Sequence, residues 1–458
     1  MSGANGNQRI GLTVREQRAT SREPLEAAQS PVRSLYIHVP FCFHKCHYCD
    51  FYSFVDTQDR QAAFVDRLVE ELRAFARYSG ERSWLETVFV GGGTPSLLRV
   101  ELWERLLGVM HDLFEFPEEG GRRQRGRQRG GEEAEKTEAL TPALSQGERE
   151  QAFEFTVECN PETVTRELMD VLFAGGVNRV SVGAQSFHAA HLKTLERWHE
   201  PVNVNKALAI AAEAGIARRN LDLIFAIPGQ TMDEWIADLD TALAMRVGGG
   251  EAAVDHVSCY ALTYEANTAM TARLGRGEFA RADEDLEADM YLAAVERLRA
   301  AGFDRYEVSN FAKRGSECRH NLAYWRQNEW HAAGPSGSAH VGGWRWRNVP
   351  RLTDWMEGVE ASGGFSPVVD SEPPDARRAL AERIMMGLRL REGVRGREVM
   401  ERAEKIGAGE RLMVAAKKAR DRGVLVMDDE RWRVSDQGFL FADGVAGELM
   451  ASLGEHSA

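Results

Sequence analysis

The sequence predicts an α/β protein in which a parallel sheet is followed by a smaller C-terminal α+β domain. Between residues 34 and 301, short runs rich in β-branched residues alternate six times with helical patterns. Strand–helix units in succession form a parallel sheet with right-handed crossovers. After residue 303 the pattern changes, and a late helix is followed by strand, turn, strand and helix. The periodicity alone does not tell whether the sheet closes, curves or stays open.

The individual elements follow from these patterns. The predicted strands are Leu35–Val39, Glu86–Val90, Phe153–Glu158, Asn178–Gly183, Asn220–Phe225 and Asp255–Tyr260. The predicted helices are Arg60–Tyr78, Glu101–Phe114, Thr165–Ala174, Val204–Ala214, Met232–Ala244 and Glu284–Ala300. Thr231 and Glu234 form a capping box, which sets the start of the fifth helix. Helices over Arg377–Leu390 and Gly409–Arg422 then precede two strands and a last helix, the outline of a winged-helix-like domain over residues 371–458.

Two stretches fall outside the alternating pattern. Residues 1–32 are polar with scattered arginines and no apolar core region, so we expect a disordered N-terminal tail and not a secretory signal. Residues 118–151 are a low-complexity insertion with a basic Arg/Gln/Gly block followed by an acidic block. We interpret the insertion as a solvated surface loop, with RNA binding as the alternative. The α/β domain then spans residues 33–310, and residues 311–370 form a His/Trp-rich connecting segment.

The composition excludes several classes of protein. The chain has 458 residues, of which 43% are hydrophobic and 28% charged, as in soluble globular proteins. Its formal charge of −13 argues against a nucleic-acid or anionic-membrane surface. No segment approaches the roughly 18 uninterrupted apolar residues of a membrane span, so we do not expect an integral membrane protein. Six cysteines are too sparse for a disulfide scaffold, and we expect a cytoplasmic protein.

Three cysteines, Cys42, Cys46 and Cys49, lie within eight residues directly after the first predicted strand. Three thiolates on one tight loop can hold three irons of a 4Fe-4S cluster and leave the fourth iron open to the amine and carboxylate of a small molecule. The spacing differs from the C-x2-C-x2-C run of electron-transfer ferredoxins. A structural zinc ion is the alternative, although zinc sites usually pair two short motifs and the chain has no second CxxC. Its fourth ligand would be one of the neighbouring histidines, His38, His44 or His47.

The residues around these cysteines, YIHVPFCFHKCHYCDF, resemble the opening of the radical S-adenosylmethionine (SAM) enzymes. Within that superfamily they are most similar to the branch around oxygen-independent coproporphyrinogen III oxidase. The resemblance covers about residues 33–347 in order and extends more loosely to the C-terminus. It implies a partial (β/α)6, TIM-like barrel that binds a 4Fe-4S cluster and SAM. In the superfamily the cluster donates an electron to the SAM sulfonium, and bond cleavage gives methionine and a 5′-deoxyadenosyl radical.

The resemblance also implies cofactor contacts at the carboxyl ends of the strands, where active sites of parallel barrels are built. Gly92, Gly93 and Thr94 match the glycine motif that contacts the amino group of SAM, and Arg197 suits the SAM carboxylate as a planar bidentate donor. Further SAM-contacting positions are matched by Tyr36, Tyr48 near the adenine, Glu158, Gln185, Asp222 and Ala261. The alternative interpretation of Glu158 or Asp222, each taken alone, is a core carboxylate that forms a salt bridge and binds no ligand.

Two details distinguish between functions inside this family. Oxidases carry a further cysteine two residues after the last cluster cysteine, where this chain has Phe51, and they have a longer N-terminal region. In both features the chain resembles the sister group of heme chaperones called HemW. His320 begins the motif HNLAYW, which is associated with heme binding in that group, and an imidazole is a sound axial iron ligand. A hydrogen-bonded core histidine is the alternative, and Cys318 is a second candidate iron ligand.

We therefore expect a heme chaperone that binds a 4Fe-4S cluster, SAM and heme, and that delivers heme to client hemoproteins. Membrane respiratory subunits are among the candidate clients. The alternative is an oxygen-independent coproporphyrinogen III oxidase, which would decarboxylate porphyrinogen propionates oxidatively. A zinc-stabilised structural or RNA-associated protein is the third hypothesis.

Overall fold

The computed structural model describes residues 19–26, 32–78, 84–116 and 153–454, so the predicted insertion over residues 118–151 lies outside the described residues. The strands are β1 (Ser34–Val39), β2 (Phe41–Cys42), β3 (Phe54–Val55), β4 (Thr87–Gly92), β5 (Glu154–Cys159), β6 (Arg179–Gln185), β7 (Arg218–Phe225), β8 (Arg246–Val247), β9 (Glu251–Ala252), β10 (His256–Ala261), β11 (Asp304–Arg305), β12 (Asn310–Ala312), β13 (Trp330–Ala333), β14 (Ser338–Val341), β15 (Trp344–Asn348), β16 (Val368–Glu372), β17 (Val394–Arg395), β18 (Leu425–Met427) and β19 (Arg431–Val434). The α-helices are α1 (Arg22–Glu26), α2 (Gln61–Tyr78), α3 (Val100–Leu113), α4 (Arg166–Ala174), α5 (Ala189–Thr194), α6 (Pro201–Ala214), α7 (Met232–Ala244), α8 (Ala269–Gly275), α9 (Glu284–Ala300), α10 (Arg319–Trp325), α11 (Leu352–Ala361), α12 (Ala376–Gly387), α13 (Gly396–Lys405), α14 (Gly409–Asp421) and α15 (Ala442–Ala451).

One large mixed sheet organises the first domain. Strands β1, β4, β5, β6, β7 and β10 lie side by side in chain order and run parallel, with helices between them. Strand β13 adds a seventh parallel strand next to β1. Antiparallel strands β12 and β11 continue one edge, and β14, β15 and β16 continue the other. This order is that of an open partial (β/α)6 barrel, and it confirms the predicted fold class.

The helices cover the outer face of the sheet because their apolar residues recur at helical spacing. In α3 the buried residues are Leu102, Trp103, Leu106, Leu107 and Met110, which forms one continuous stripe. The parallel strands are buried on both faces, and all seven residues of β6 are buried. Such burial is expected where helices cover one face and the barrel interior the other. Each of the six predicted strands agrees with the observed bounds within two residues.

Two segments differ from their predicted roles. Residues 311–370, predicted as a connection, contribute strands β13 to β16 and helices α10 and α11. Residues 19–26 belong to the predicted disordered tail, but they include helix α1. The backbone N–H of Ser21 donates to the carbonyl of Ser366, and that of Val368 donates to Ala19 (both 2.9 Å). This short segment is therefore fixed to the far edge of the sheet by main-chain hydrogen bonds.

The C-terminal domain has a hydrophobic core of its own. Buried residues of the first core extend to Val368, and those of the second begin at Leu380. In the second domain α12, α13 and α14 pack with the small antiparallel sheet β17–β19–β18. The order helix, strand, helix, helix, strand, strand is that of a winged-helix-like module. Among the described residues, no helix combines the length and the apolarity that a membrane crossing requires.

The end of β13 packs tightly against the main chain of β1. Gly334 has a φ of 93°, and its N–H donates to the buried carboxylate of Glu71 (2.7 Å). A Cβ atom at this position would overlap the carbonyl oxygen of His38. Glycine is required here because it combines a positive φ with a close backbone approach.

Candidate functional site

The three clustered cysteines lie on one loop that leaves β1 at its carboxyl end. Cys42 is in β2, and Cys46 and Cys49 follow in a turn in which the N–H of Cys49 donates to the carbonyl of Cys46 (3.3 Å). All three are free thiols of intermediate exposure. Burial raises the pKa of Cys49 to about 11. A metal that binds this sulfur therefore has to displace its proton.

Two polar side chains reach the thiols, Thr94 from the loop after β4 and Arg197 from the loop between α5 and α6. The Thr94 hydroxyl donates to Sγ of Cys42 (3.6 Å), and a guanidinium nitrogen of Arg197 donates to Sγ of Cys46 (3.7 Å). The other terminal nitrogen of Arg197 donates to the carbonyl of Gly183 (3.0 Å). The loop is thus tied to the carboxyl ends of β4 and β6.

The predicted glycine motif forms the wall beside this loop. Gly92 has a φ of 108°, and a Cβ atom there would lie 2.6 Å from the ring of His38. A Cβ atom at Gly93 would lie 2.6 Å from the carbonyl oxygen of Phe41. Neither position has room for a side chain, so main-chain N–H and C=O groups form this wall.

Two half-buried carboxylates lie next to the glycine wall. The N–H of Gly92 donates to Glu158 (3.1 Å), and the Ser181 hydroxyl donates to Asp222 (3.0 Å). Burial and the nearby negative charge of Asp222 raise the pKa of Glu158 to about 7. Burial also raises the pKa of Asp222, although its hydrogen bonds oppose the shift. Because both pKa values are raised, a positively charged ligand beside these two acidic groups would be stabilised by them.

The remaining predicted residues fall at the same edge. Gln185 ends β6 with a φ of 64°, and its amide lies with Arg197 against Gly183. Tyr48 packs into a small apolar cluster of residues from this edge. The Tyr36 hydroxyl contacts Nδ1 of His38 (3.1 Å). Ala261 ends β10 beside β7 and has no described contact with the others.

The three histidines considered as zinc ligands differ in how far their nitrogens are engaged. His38 contacts Tyr36 through Nδ1 and the carbonyl of Tyr52 through Nε2 (2.8 Å). Nδ1 of His47 contacts Arg273 (3.3 Å). His44 stacks on Trp198 with ring centroids 4.2 Å apart, and its buried Nε2 has no hydrogen-bond partner among the described residues. Among the described residues, no three His, Cys, Asp or Glu side chains converge to hold one metal ion. A cubane cluster does not require such convergence, because each thiolate binds a different iron.

Sequence reasoning missed two residues that support the site. The Lys45 ammonium donates to the carbonyls of Phe51 (2.7 Å) and Ser53 (3.2 Å) and so braces the cysteine loop. Nδ1 of His199 accepts a hydrogen bond from Nε of Arg197 (3.2 Å), which orients the guanidinium. Lys45 lies between Cys42 and Cys46, and His199 lies two residues after Arg197. These positions in the sequence could have indicated both roles.

His320 lies at the opposite, amino end of the strands. Its side chain is fully buried, with Nδ1 in contact with the Thr87 hydroxyl (2.8 Å) and Nε2 in contact with the Tyr324 hydroxyl (2.7 Å). Burial lowers the pKa of His320 to about 4. Both ring nitrogens are hydrogen-bonded, so the imidazole cannot coordinate iron in this conformation. The geometry is that of the core histidine considered as the alternative.

Glu154 connects His320 and Cys318 to the first residues of the strands. Its carboxylate accepts from the thiol of Cys318 (3.3 Å) and from the N–H groups of Arg319 and His320 (3.0 Å each). Although burial opposes ionisation, Arg179 and these donors lower the pKa of Glu154. We call this group of Glu154, Arg179, Cys318 and His320 the barrel floor.

Comparisons with known proteins agree with the geometry. The model of the Radical SAM superfamily matches residues 36–242, and that of the HemN C-terminal domain matches residues 375–441. The heme chaperone HemW of Mycobacterium tuberculosis is 35% identical, with 91% of this chain and 94% of the relative covered. HemW of Lactococcus lactis is 32% identical, with 79% and 82% covered.

A solved structure shows the same fold. Coproporphyrinogen III oxidase (HemN) from Escherichia coli superposes with a TM-score of 0.73 over 94% of this chain and 93% of its own, at 18% identity. At that identity the likeness concerns the fold. The identity to HemW proteins over nearly the whole chain is the more specific finding. The chain therefore belongs to the HemW family of the radical SAM superfamily.

Proposed function

We propose that the protein is a heme chaperone that holds a 4Fe-4S cluster on Cys42, Cys46 and Cys49 and binds SAM beside it. The link from Cys46 through Arg197 to Gly183 is the observation that carries the cofactor site, because it joins the thiols to the edge where the other polar groups lie. When bound, such a cluster supplies a one-electron donor next to the sulfonium of SAM.

The chain's own residues suit the three polar parts of SAM. The half-buried carboxylates Glu158 and Asp222 favour the positively charged ammonium and sulfonium. The guanidinium of Arg197 is a donor for the ligand carboxylate. The backbone wall at Gly92 and Gly93 admits a close approach of the amino group.

Heme delivery, and not porphyrinogen oxidation, is supported by the cysteine loop. Phe51 stands at the position of the oxidases' further cysteine, and its side chain is exposed. The relatives from Mycobacterium tuberculosis and Lactococcus lactis carry the name heme chaperone. We propose that heme is passed to client hemoproteins, including subunits of membrane respiratory complexes. Thiols that must stay reduced to hold iron fit a cytoplasmic location.

Anaerobic turnover of coproporphyrinogen III with SAM and a reductant tests the proposal. We expect no protoporphyrinogen IX, and we expect the same preparation to bind heme and transfer it to an apo-hemoprotein. Sustained formation of protoporphyrinogen IX would replace the proposal by the oxidase alternative. Iron and sulfide analysis of the same preparation checks that the cluster is present.

A further inference from the structure

A cleft of about 910 Å³ separates the extension of the large sheet from the C-terminal domain. Its walls come from the end of α10, from β14 and from the first residues of α12 and α13. This volume lies within the range of roughly 300–1,000 Å³ that is usual for small-molecule sites. Neither the cysteines nor any other residue assigned to cofactors above lines the cleft.

One imidazole, that of His340, opens into the cleft. Its Nδ1 contacts the carbonyl oxygen of Asn328 (3.4 Å), and its Nε2 has no hydrogen-bond partner among the described residues. An Nδ1–H that donates to a carbonyl leaves the Nε2 lone pair free, which is the tautomer of metal-ligating histidines. Burial and the nearby Arg345 lower the pKa of His340 to about 4, so the ring is neutral at pH 7.

A chain of edge-to-face aromatic contacts connects His340 to the HNLAYW motif. The Tyr324 ring packs against His320 (centroids 4.6 Å apart) and against Trp330 (4.6 Å), and Trp330 packs against His340 (5.2 Å). The motif histidine is therefore the buried end of this chain of contacts, and His340 is the end that faces the cleft. Trp330, which lies between the motif residue Tyr324 and His340, packs directly against the accessible imidazole.

Six arginines and five acidic residues line the cleft, so its lining has a formal net charge of +1. Glu392 lies within ion-pair distance of Arg326 (3.0 Å) and Arg431 (3.7 Å). Glu398 is shared in the same way by Arg383 (3.6 Å) and Arg402 (2.9 Å). Arg395 also lines the cleft and has no carboxylate within ion-pair distance among the described residues. Shared and unpaired guanidinium groups suit the carboxylates of an incoming ligand.

We propose that this cleft holds heme, with Nε2 of His340 as axial iron ligand and Arg395 facing the propionates. The inference rests on the proposed heme-chaperone function and assigns its site. Pro374, Ala376 and Ala379 provide an apolar wall for the porphyrin. A single axial ligand in an open, charged cleft gives reversible binding, which a delivery protein requires.

The test is titration of ferric heme into the full-length chain and its variants. Difference spectra against heme-free protein remove the absorbance of the cluster. We expect His340→Ala to lose the Soret shift of imidazole-ligated heme and to weaken heme binding by about tenfold or more. Millimolar imidazole should restore the spectrum of this variant. Arg395→Glu should weaken binding severalfold without moving the Soret band.

His188→Ala is the matched control, since His188 is a partly exposed imidazole on the barrel side of the molecule. It should behave as the wild type. Unchanged spectrum and affinity in His340→Ala, with both lost in His320→Gln, would overturn the His340 site and leave the proposed function intact. A wild-type chain that binds no heme would overturn the proposed function itself.

Discussion

Two glutamates on one strand, Glu154 and Glu158, have opposite electrostatic environments. At the barrel floor, Glu154 accepts three hydrogen bonds and faces Arg179, and its pKa is lowered. At the carboxyl end, Glu158 accepts one described backbone hydrogen bond and faces Asp222, and its pKa is raised to about 7. A buried carboxylate with its partners in place stabilises the fold. A carboxylate that lacks such partners, as Glu158 does, is available to interact with a bound ligand.

The same contrast holds for the other groups at the two ends. At the floor, His320 has partners for both nitrogens. At the carboxyl end, the thiols of Cys42 and Cys46 receive donors but have no metal-ion geometry of their own. Substitutions at the floor should therefore change stability, and substitutions at the carboxyl end should change ligand binding.

The largest expected effect is on iron content. Cys46→Ala should reduce iron in anaerobically reconstituted protein from about four per chain to background, because three thiolates are the minimum set for this cluster. Cys318→Ala removes a thiol of the floor and should leave iron unchanged. Colorimetric iron and sulfide analysis measures both. If Cys46→Ala retained as much iron as the wild type, Cys46 would not be a ligand of the cluster.

The next effect is on stability. Glu154→Gln should lower the free energy of unfolding by about 3–5 kcal/mol, because it leaves buried Arg179 without its carboxylate. Glu158→Gln should leave stability unchanged or raise it, since it removes a charge that lies near Asp222. Urea unfolding of the two variants, which differ only in position on β5, gives the comparison. A similar loss of unfolding free energy in both variants would show that the two carboxylates do not differ in their contribution to stability.

The pH dependence of SAM binding follows from Glu158. Its raised pKa means that the carboxyl is protonated below pH 7 in the free protein. A positively charged ligand favours the carboxylate, so binding releases a proton, and affinity should fall by up to about tenfold per pH unit below 7. Calorimetry in buffers of different ionisation enthalpy measures the proton. Glu158→Gln should abolish this dependence, and a dependence that survives would assign it to another group.

The smallest effect separates two threonines. Thr87→Val removes the hydroxyl partner of Nδ1 of His320 and should cost about 1 kcal/mol of stability. Thr94→Val removes the hydroxyl that donates to Cys42 and should change stability by less than about 0.5 kcal/mol. Thr94→Val should instead lower the reduction potential of the reconstituted cluster, since hydrogen bonds to sulfur raise it. Thermal unfolding measures the change in stability, and potentiometry measures the change in reduction potential.

The alternating strands and helices were predictable because local pattern determines them. Strand β13 was not, since Trp330–Ala333 has four residues, none of them β-branched, and becomes a strand by pairing with β1 nearly three hundred residues away. Helix α1 was missed for a similar reason, because the segment around it is held by hydrogen bonds to Ser366 and Val368. Long-range main-chain pairing leaves little local signal.

The site was predictable to the extent that its residues follow strand ends. The cysteines, glycines and acidic residues were located by that rule together with the family resemblance. The burial of His320 was not predictable, because its partner Thr87 is distant in sequence. The inward position of Glu154 could have been predicted from the sequence. Glu154, Thr156 and Glu158 alternate along β5 and therefore share the inner face.

The contact between Gly334 and His38 has a consequence for natural variation in these proteins. Any side chain at position 334 would have to push aside the main chain that leads into the cysteine loop. A relative with alanine there is expected to carry a compensating change in the path of the preceding strand. Tolerance to substitution at this position therefore measures how rigidly the cysteine loop is anchored, through a contact with the main chain of His38.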